Sequence, residues 1–581
     1  MKNKSINLKN HVGVFIVMFS VSLFLVLPQI LAHSLVLGSD SLFHFNRIYD
    51  IYMQFKTGNF NYFQTNYGFQ QSGRIINAVY GPGFAYLLGG LLLLVHSWFN
   101  FQVISSFLIF FISGYSMYLL AKEITSTKDI SLLMAVLFMG SLWIARWSTE
   151  QNFMAWGIML VPLVVLMGVK MIKNNAEGLR VLPLALTMSV MIQVHVLSAL
   201  MSIGVLLVFF IVGFIQTNKK SKLLLTCFLA GLLSLVLTFN VWGAMLDVFA
   251  NNKLYPPHVN VMMSNSTMNL SMGGPTLTKI GLVMSLIFVV QISLLFIKQV
   301  KFTVTNRVVT SLGLVFLVLT SKLVPWTDLA QVIPQIQSFL QYPRRFEGFA
   351  VVLLLAGLSA TLSSSSFKNY RKYVDLFLIV GGLVVGTQSY LEIQKSNEAW
   401  HTNQSIVSPN NVDIADNTSN EQITKAFMSS NLDDGLKLLT KASPDYLPNN
   451  RVLSERPYHD YRLDMKKNKD EVSKTINSEG KLSLSWNATK KENEISLPAI
   501  VYNNSTVQLN GSSLDPKKMT LSTMGSPTVK ATRIGTNRLV IGYHTKIITR
   551  ISLIIVLATW IISCVSAVFM GIIDNKKEIN L

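Results

Sequence analysis

The chain has 581 residues, half of them hydrophobic and only 13% charged, a balance that calls for many membrane spans rather than one large soluble core. Its formal charge of +20 would suit nucleic acid if the Lys and Arg shared one patch. They sit instead in short clusters between apolar runs, as in cytoplasmic loops under the positive-inside rule, which argues against a nucleic-acid partner. The two cysteines, Cys227 and Cys564, both lie inside apolar runs without ligand spacing, so neither a disulfide framework nor a zinc site is expected.

Lys2, Lys4 and Lys9 precede a first apolar run of spanning length with no small-x-small cleavage site after it, so a retained signal anchor with a cytoplasmic N-terminus is expected. Expected spans are residues 12–32, 103–121, 130–146, 153–172, 180–194, 197–216, 223–242, 279–297, 308–323, 346–364, 374–391 and 549–573. One more apolar run, Val79 to His96, decides the topology. If it crosses, the clusters Lys122/Lys128, Lys170/Lys173, Lys219/Lys220/Lys222, Lys298/Lys301/Arg307, Lys368/Arg371/Lys372 and Lys576/Lys577 all fall opposite the N-terminal lysines. If it does not, all share their side, so the run is placed along the interface or as a re-entrant dip. Gly81-Pro82-Gly83 and Gly89-Gly90 fit such an irregular segment.

This divides the chain into a transmembrane domain, 1–391, with a first external loop and juxtamembrane helices at 33–102, an extracellular soluble domain at 392–546, and a last transmembrane helix with a cytoplasmic tail at 547–581. The second half of the soluble domain alternates like short strands at Lys481–Trp486, Ile495–Tyr502 and Leu539–Tyr543, with turn signals at Asn510-Gly511 and Gly525-Ser526-Pro527. Its first half, about Asn411 to Lys474, reads as helical or irregular, so the domain is α+β or mainly β.

The span interiors carry almost no charge, which argues against an ion-coupled transporter. Ionisable residues gather at the expected external ends: Asp40, His44 and Arg47; Arg74; Arg146 and Glu150; His195; and Arg344, Arg345 and Glu347. Asp40, His44 and Arg47 stand at i, i+4 and i+7 on one face of a short helix. That face reads either as the floor of an active site or as a surface helix capped by Ser39 or Asp40. His195, in the tight turn between 180–194 and 197–216, suits a hydrogen-bonded structural group or a ligand. Arg146 and Glu150, four apart, either pair or place a second carboxylate in a cleft.

Transfer of a sugar from a lipid-linked phosphate to a hydroxyl would suit these groups. It needs one base and cations for the departing phosphate, whereas glycoside hydrolysis needs two opposed carboxyls. Asp40, among Phe43, Phe45 and Tyr49, is the candidate base, tuned by partial burial. Arg344 and Arg345 could grip phosphate bidentately, with Arg47, Arg146 and His195 as further candidates. Each of these arginines also suits lipid headgroups or a helix cap. No phosphate-cradling glycine loop, metal-ligand cluster or nucleophile elbow appears.

The runs GSDSLFHFNRI, YGPGFAYLLGGLLLL and SGYSMYLLAKEI, with ARWSTEQNFMAWGIMLVPLVVL, VHVLSAL and QYPRRFEGFA, resemble the bacterial YfhO-like and 6-pyruvoyl-tetrahydropterin synthase-related membrane protein families. These in turn resemble the GT-C glycosyltransferases. The resemblance implies a polytopic α-helical GT-C-like fold, an acidic base in the first external loop and a polyprenyl-phosphate-linked sugar donor. By position Asp40 matches the first-loop aspartate, His44 and Arg47 the polar positions after it, Arg146 and Glu150 the second-loop pair, and Arg344-Arg345 the Pro-x-Arg-Phe element. Arg344 stands where an aromatic residue is expected, and no Asp-x-Asp element occurs in the first loop, which leaves a divalent cation (Mg or Mn) as an open expectation. Implied partners are the lipid-linked donor, an envelope glycopolymer (teichoic acid or polysaccharide) or lipid acceptor, membrane lipids, and the enzyme that makes the donor. The implied place is a bacterial plasma membrane, crossed many times, with both termini cytoplasmic. The rival readings are a flippase or exporter of lipid-linked saccharide, which needs a continuous polar path, and a non-catalytic envelope scaffold.

Overall fold

The computed structural model describes residues 4–364, 367, 369, 371–402, 406–407, 411–449 and 454–580; Lys2 and Lys368, two of the charges counted above, lie outside them. Among the described residues nine helices have the length and composition to cross a membrane, and each coincides with an expected span. The other three expected spans fall on shorter apolar helices, Val181–Val194, Leu282–Leu294 and Val304–Thr320. The chain is a multi-pass membrane protein, mostly helical, with a sheet-containing C-terminal domain.

Helix α1 (Lys4–Ala32) is followed by α2 (Ser41–Thr57), α3 (Pro82–Val95), α4 (Trp98–Thr125), α5 (Lys128–Met139) and α6 (Leu142–Glu150). The run at issue in the topology is α3. Fourteen residues rise about 21 Å, short of the ~30 Å hydrocarbon core. It lies against α2, so closely that a Cβ on Gly89 would come within 2.4 Å of Ile51 Cγ2. The helix Glu347–Leu362 is buried along nearly its whole length and packs against Val304–Thr320, α4 and α5. At the rim, Lys220–Leu237 and Thr549–Ile572 leave most of their apolar side chains uncovered, including Leu224, Phe228, Ile554 and Ile561. This suits helices solvated by lipid.

The helix Arg371–Glu398 runs seven residues past the expected boundary at 391 before the C-terminal domain begins. That domain mixes helices with sheets. Asn420–Phe427, Asp434–Leu438 and Pro457–Lys466 are helical, as the first half was read, and Val412–Ile414 pairs antiparallel with Leu439–Lys441. A five-stranded antiparallel sheet follows in the order Ser473–Ile476, Leu482–Ala488, Gly535–Tyr543, Ser505–Leu509, Ser512–Leu514. A three-stranded sheet, Thr520–Leu521, Pro527–Lys530 and Glu494–Ser496, packs over it around Leu484, Leu497, Val507 and Ile541. Asn510 (φ 52) and Gly511 (φ 89) occupy the left-handed region that a two-residue hairpin turn requires. The expected strand at 495–502 is shorter, ending at Ser496. Beyond it Leu497 N–H still donates to Pro527 O and Val501 N–H to Gly525 O, both at 2.9 Å, while Ile500 N–H donates to Ser72 O at 2.8 Å and ties the domain to the loop of residues 58–80.

Candidate functional site

The loop between α1 and α2 rests on the end of α6. A Cβ on Gly38 would stand 2.6 Å from Glu150 Cα and 2.8 Å from Thr149 O, so only glycine lets the two backbones meet here. Two residues later Asp40 N–H donates to Glu150 O at 3.2 Å. Asp40 is the N-cap residue of α2, yet its side chain makes no capping bond, so the cap reading is not what the structure shows. Its half-buried carboxyl lies in a field of charges instead. Burial pushes its pKa up to about 6; Lys441 and Arg345 pull it back down and Glu150 pushes it further up. A carboxyl so placed changes charge near neutrality, the range in which a general base works best.

The rest of the α2 face differs from the expectation of a water-edge helix. Twelve of its seventeen residues are buried, because the loop of residues 58–80 and the C-terminal domain cover it. His44, 2% exposed, stacks on Phe153 at 4.7 Å, and its Nδ1 lies 3.2 Å from Arg47 Nη1. Burial pushes its pKa well down, with the charge of Arg47 acting in the same direction. Arg47, 1% exposed, donates to Asn77 Oδ1 at 3.0 Å and to Tyr80 O, and lies 4.4 Å from the Tyr80 ring centroid. Its guanidinium pins residues 77–80 onto α2. Neither residue presents itself to a ligand as the sequence suggested; both position the loop.

Arg146 and Glu150 make no ion pair among the described residues. They diverge: Glu150 faces Asp40 from the end of α6, while Arg146 points into the bundle, 1% exposed and 4.4 Å from the Trp143 ring centroid. None of its three guanidinium nitrogens has a hydrogen-bond partner, and nearby Glu347 Oε2 has none either. A buried cation in this state costs several kcal/mol unless something supplies acceptors. Ser141 Oγ, Ser148 Oγ and both side-chain polar atoms of Gln151 are also unpartnered, so the inner wall of α6 is a dense patch of unsatisfied polar groups.

The Pro343–Phe346 turn places the two adjacent arginines differently. Arg345 donates from Nη1 to Leu340 O (2.9 Å) and from Nη2 to Gln341 Oε1 (2.6 Å), which spends much of its fork on its own chain while its charge still reaches Asp40. Arg344 makes no hydrogen bond among the described residues, lies 4.6 Å from the Tyr342 ring centroid, and senses both Arg146 and Glu150. His195 is a helix cap: Ser198 N–H donates to its Nδ1 at 3.2 Å and Ser198 Oγ lies 2.8 Å from the same atom. Burial and then the charge of Arg345 hold its pKa down at about 3, so the ring is neutral at physiological pH. Among the expected cations for phosphate, His195 is placed as a cap of its own helix, bonded to Ser198.

Lys441, Asp445 and Asp50 were not read from the sequence; Arg74, which was, holds two of them in place. Lys441 Nζ donates to Ser39 O at 3.3 Å beside Asp40. Asp445 follows it four residues on; burial raises its pKa, and Arg74, Ser443 and Lys441 lower it. Arg74, fully buried, donates to Ser443 O at 2.6 Å and to Asp445 O, fixing this segment over the cleft. Asp50, also fully buried, accepts from Tyr67 N–H at 2.8 Å and Gln54 Nε2 at 2.7 Å and so pins the far side of the loop. Neither spacing nor periodicity marks Lys441 and Asp445, which lie some 400 residues from Asp40 in the chain.

For a divalent ion, Asp40 and Glu150 offer two carboxylates, and no group of three or more His, Cys, Asp or Glu gathers among the described residues. Lys441, Arg344 and Arg345 already bring positive charge to the same place. This donor set does not fit a divalent cation, and no step is derived through one.

No family model matches the chain, so the YfhO-like resemblance has no counterpart there, and no curated protein matches it in sequence. Among solved structures the chain is similar to an oligosaccharyltransferase of Archaeoglobus fulgidus in the apo form, at 12% identity over 72% of this chain and 60% of that one, with a TM-score of 0.33. It is also similar to the archaeal oligosaccharyltransferase AglB from Archaeoglobus fulgidus, in complex with an inhibitory peptide and a dolichol-phosphate, at 12% identity over 72% and 59%, with a TM-score of 0.32. The chain thus spans about three fifths of the length of these structures. TM-scores below 0.5 do not establish a shared fold.

Proposed function

We propose that this is a membrane glycosyltransferase of GT-C type, moving a sugar from a polyprenyl-phosphate-linked donor to an envelope glycopolymer or lipid acceptor on the external face of a bacterial plasma membrane. The observation that carries the reading is the placement of Asp40, a half-buried carboxyl that makes no capping bond, tied by its backbone to Glu150 (3.2 Å) and lying in the field of Lys441, Glu150 and Arg345. In a single displacement Asp40 takes the proton of the acceptor hydroxyl as its oxygen attacks the anomeric carbon. The bond from that carbon to the phosphate oxygen breaks, the configuration inverts, and the polyprenyl phosphate leaves with the electron pair. Arg344 and Arg146 replace the Arg344/Arg345 pair as the proposed phosphate grip. Arg344 makes no hydrogen bond among the described residues, and Arg146 has three unpartnered nitrogens that phosphate oxygens would satisfy bidentately. Arg345 tunes Asp40 by its charge. Glu150 keeps Asp40 basic enough to accept a proton.

The experiment is envelope glycopolymer composition, by mass spectrometry, in cells with wild-type, deleted and Asp40→Asn protein. One sugar substituent absent from both mutants, with the Asn protein present in the membrane, is the expected result. A substituent lost on deletion and retained with Asp40→Asn would remove Asp40 from the chemistry. No change in either would leave a flippase or an envelope scaffold as the better reading.

A further inference from the structure

A cavity of about 530 Å³ lies apart from the Asp40 cleft. It lies on the seam between the helix Phe239–Asn251 and the C-terminal domain, lined by Asn251, Asn252, Asn449 and Asn503, with Lys253 and Lys517 at its mouth and Phe249 and Leu521 in its wall. None of the lining residues is acidic. Asp515, close in sequence, turns back to accept from Lys517 N–H at 3.0 Å, and Asp247 is engaged by Lys546 at 3.3 Å. Both lysines are exposed, and neither side chain has a partner among the described residues.

The frame is built rather than incidental. Asn252 Oδ1 accepts from Asn503 N–H at 2.9 Å, and Asn503 Nδ2 donates to Asn251 O at 2.7 Å, so the two domains are stitched across the cavity. The amide nitrogens of Asn251, Asn252 and Asn503 are spent on Asp247, Val248 and Asn251, which leaves the Asn449 amide as donor and acceptor and the Oδ1 atoms of Asn251 and Asn503 as acceptors for hydroxyls, while the lysines match phosphate or carboxylate and the apolar wall suits the C–H face of a sugar. The cavity is joined to the cleft by a stiff strap. Residues 445–449 are zipped to 253–255 by Tyr446 N–H to Tyr255 O (3.0 Å), Tyr255 N–H to Leu447 O (2.8 Å) and Asn449 N–H to Lys253 O (2.7 Å). Asp445 ends this strap at the cleft and Asn449 ends it at the cavity, four residues apart and so at most about 14 Å.

We propose that this cavity is a holding site for the acceptor: it binds an anionic, polyhydroxylated chain one or more units away from the unit presented to Asp40. The inference rests on the transferase reading above and adds to it a place and a charge for the acceptor. Held in this way, a polymer is modified repeatedly without full release, because the second contact raises the effective concentration of its next unit at the cleft.

The test is direct binding to the purified full-length protein in nanodiscs. The probes are labelled oligo(glycerol phosphate) and oligogalacturonate, two anionic polyols that separate phosphate from carboxylate, with neutral dextran and inorganic polyphosphate as controls. At least one anionic polyol is expected to bind roughly tenfold more tightly than dextran or polyphosphate. Its affinity should fall with added salt, and by roughly tenfold in the Lys253→Gln/Lys517→Gln double variant. Lys517→Glu, a surface change that leaves the frame intact, should weaken it further, and Asp40→Asn should bind as wild type. Equal binding by the double variant, or by dextran or polyphosphate, overturns the proposal. The two readings fail separately: if Asp40→Asn still transfers sugar while the lysine variants lose binding, the catalytic reading falls and the holding site stands. If the lysine variants bind as wild type while Asp40→Asn is inactive, the reverse holds.

Discussion

Replacing Gly38 by Ala tests whether the contact between the α1–α2 loop and α6 sets the site. The new Cβ would meet Glu150 Cα at 2.6 Å and Thr149 O at 2.8 Å, both backbone atoms that no rotamer change can clear. Ordinary contact begins near 3.4 Å, so the loop must retreat from α6 by about 0.8 Å. That retreat stretches the bond from Asp40 N–H to Glu150 O, now 3.2 Å, beyond useful range, at a net cost of about 1 kcal/mol. Overpacking adds roughly 1–3 kcal/mol. A misplacement of this size at the reacting group costs on the order of a hundredfold in rate. Sugar transfer by membranes carrying equal amounts of wild-type and Gly38→Ala protein, with thermal unfolding in detergent, measures both. Wild-type transfer and an unchanged Tm would refute the close approach, and with it the pairing of Asp40 with Glu150.

Other expected outcomes follow from the same charges. Transfer should fall as pH drops through about 6, where Asp40 takes up a proton. Glu150→Gln removes a charge that raises the Asp40 pKa and should move that limb to lower pH, whereas Lys441→Gln removes one that lowers it and should move the limb higher. An unmoved limb in both variants would take Asp40 out of the titration. Arg146→Met should cut transfer by about a hundredfold with a Tm no lower than wild type, because the lost cation has no hydrogen-bond partner to leave behind. A fall in Tm matching the fall in transfer would make Arg146 structural. His195→Asn keeps a capping acceptor and should transfer within a few-fold of wild type, whereas His195→Ala should lose about 1 kcal/mol of stability; a hundredfold loss in the Asn variant would return His195 to the chemistry.

Much of the architecture was legible because it depends on local properties. A membrane span is a matter of apolar length, so the long helices fall where the runs fall. The placement of Val79 to His96 away from the spans rests on the lysine clusters, since α3 at fourteen residues is as long as Val181–Val194, which was read as a span. The Asn510-Gly511 hairpin was legible because few residue pairs accept two consecutive positive φ angles. The strand at 495–502 was overread, since its later half alternates like a strand but divides its backbone bonds among Leu497, Gly525 and, through Ile500, Ser72 of the loop after α2.

The sequence by itself determined which groups could do chemistry and at which ends of the helices they stand, because residue type, spacing and the positive-inside rule are properties of short segments. Tertiary structure alone decided what each group faces. Arg146 and Glu150 share a helix and spacing that favours a pair, yet packing turns one into the bundle and the other towards Asp40. Arg47 read as a ligand and serves as a pin, because its acceptors arrive from Asn77 and Tyr80, thirty residues and more along the chain. Lys441 and Asp445 reach Asp40 only because buried Arg74 clamps their segment over the cleft. Electrostatic tuning is a through-space property, and no pattern along one chain records which distant segments will share that space.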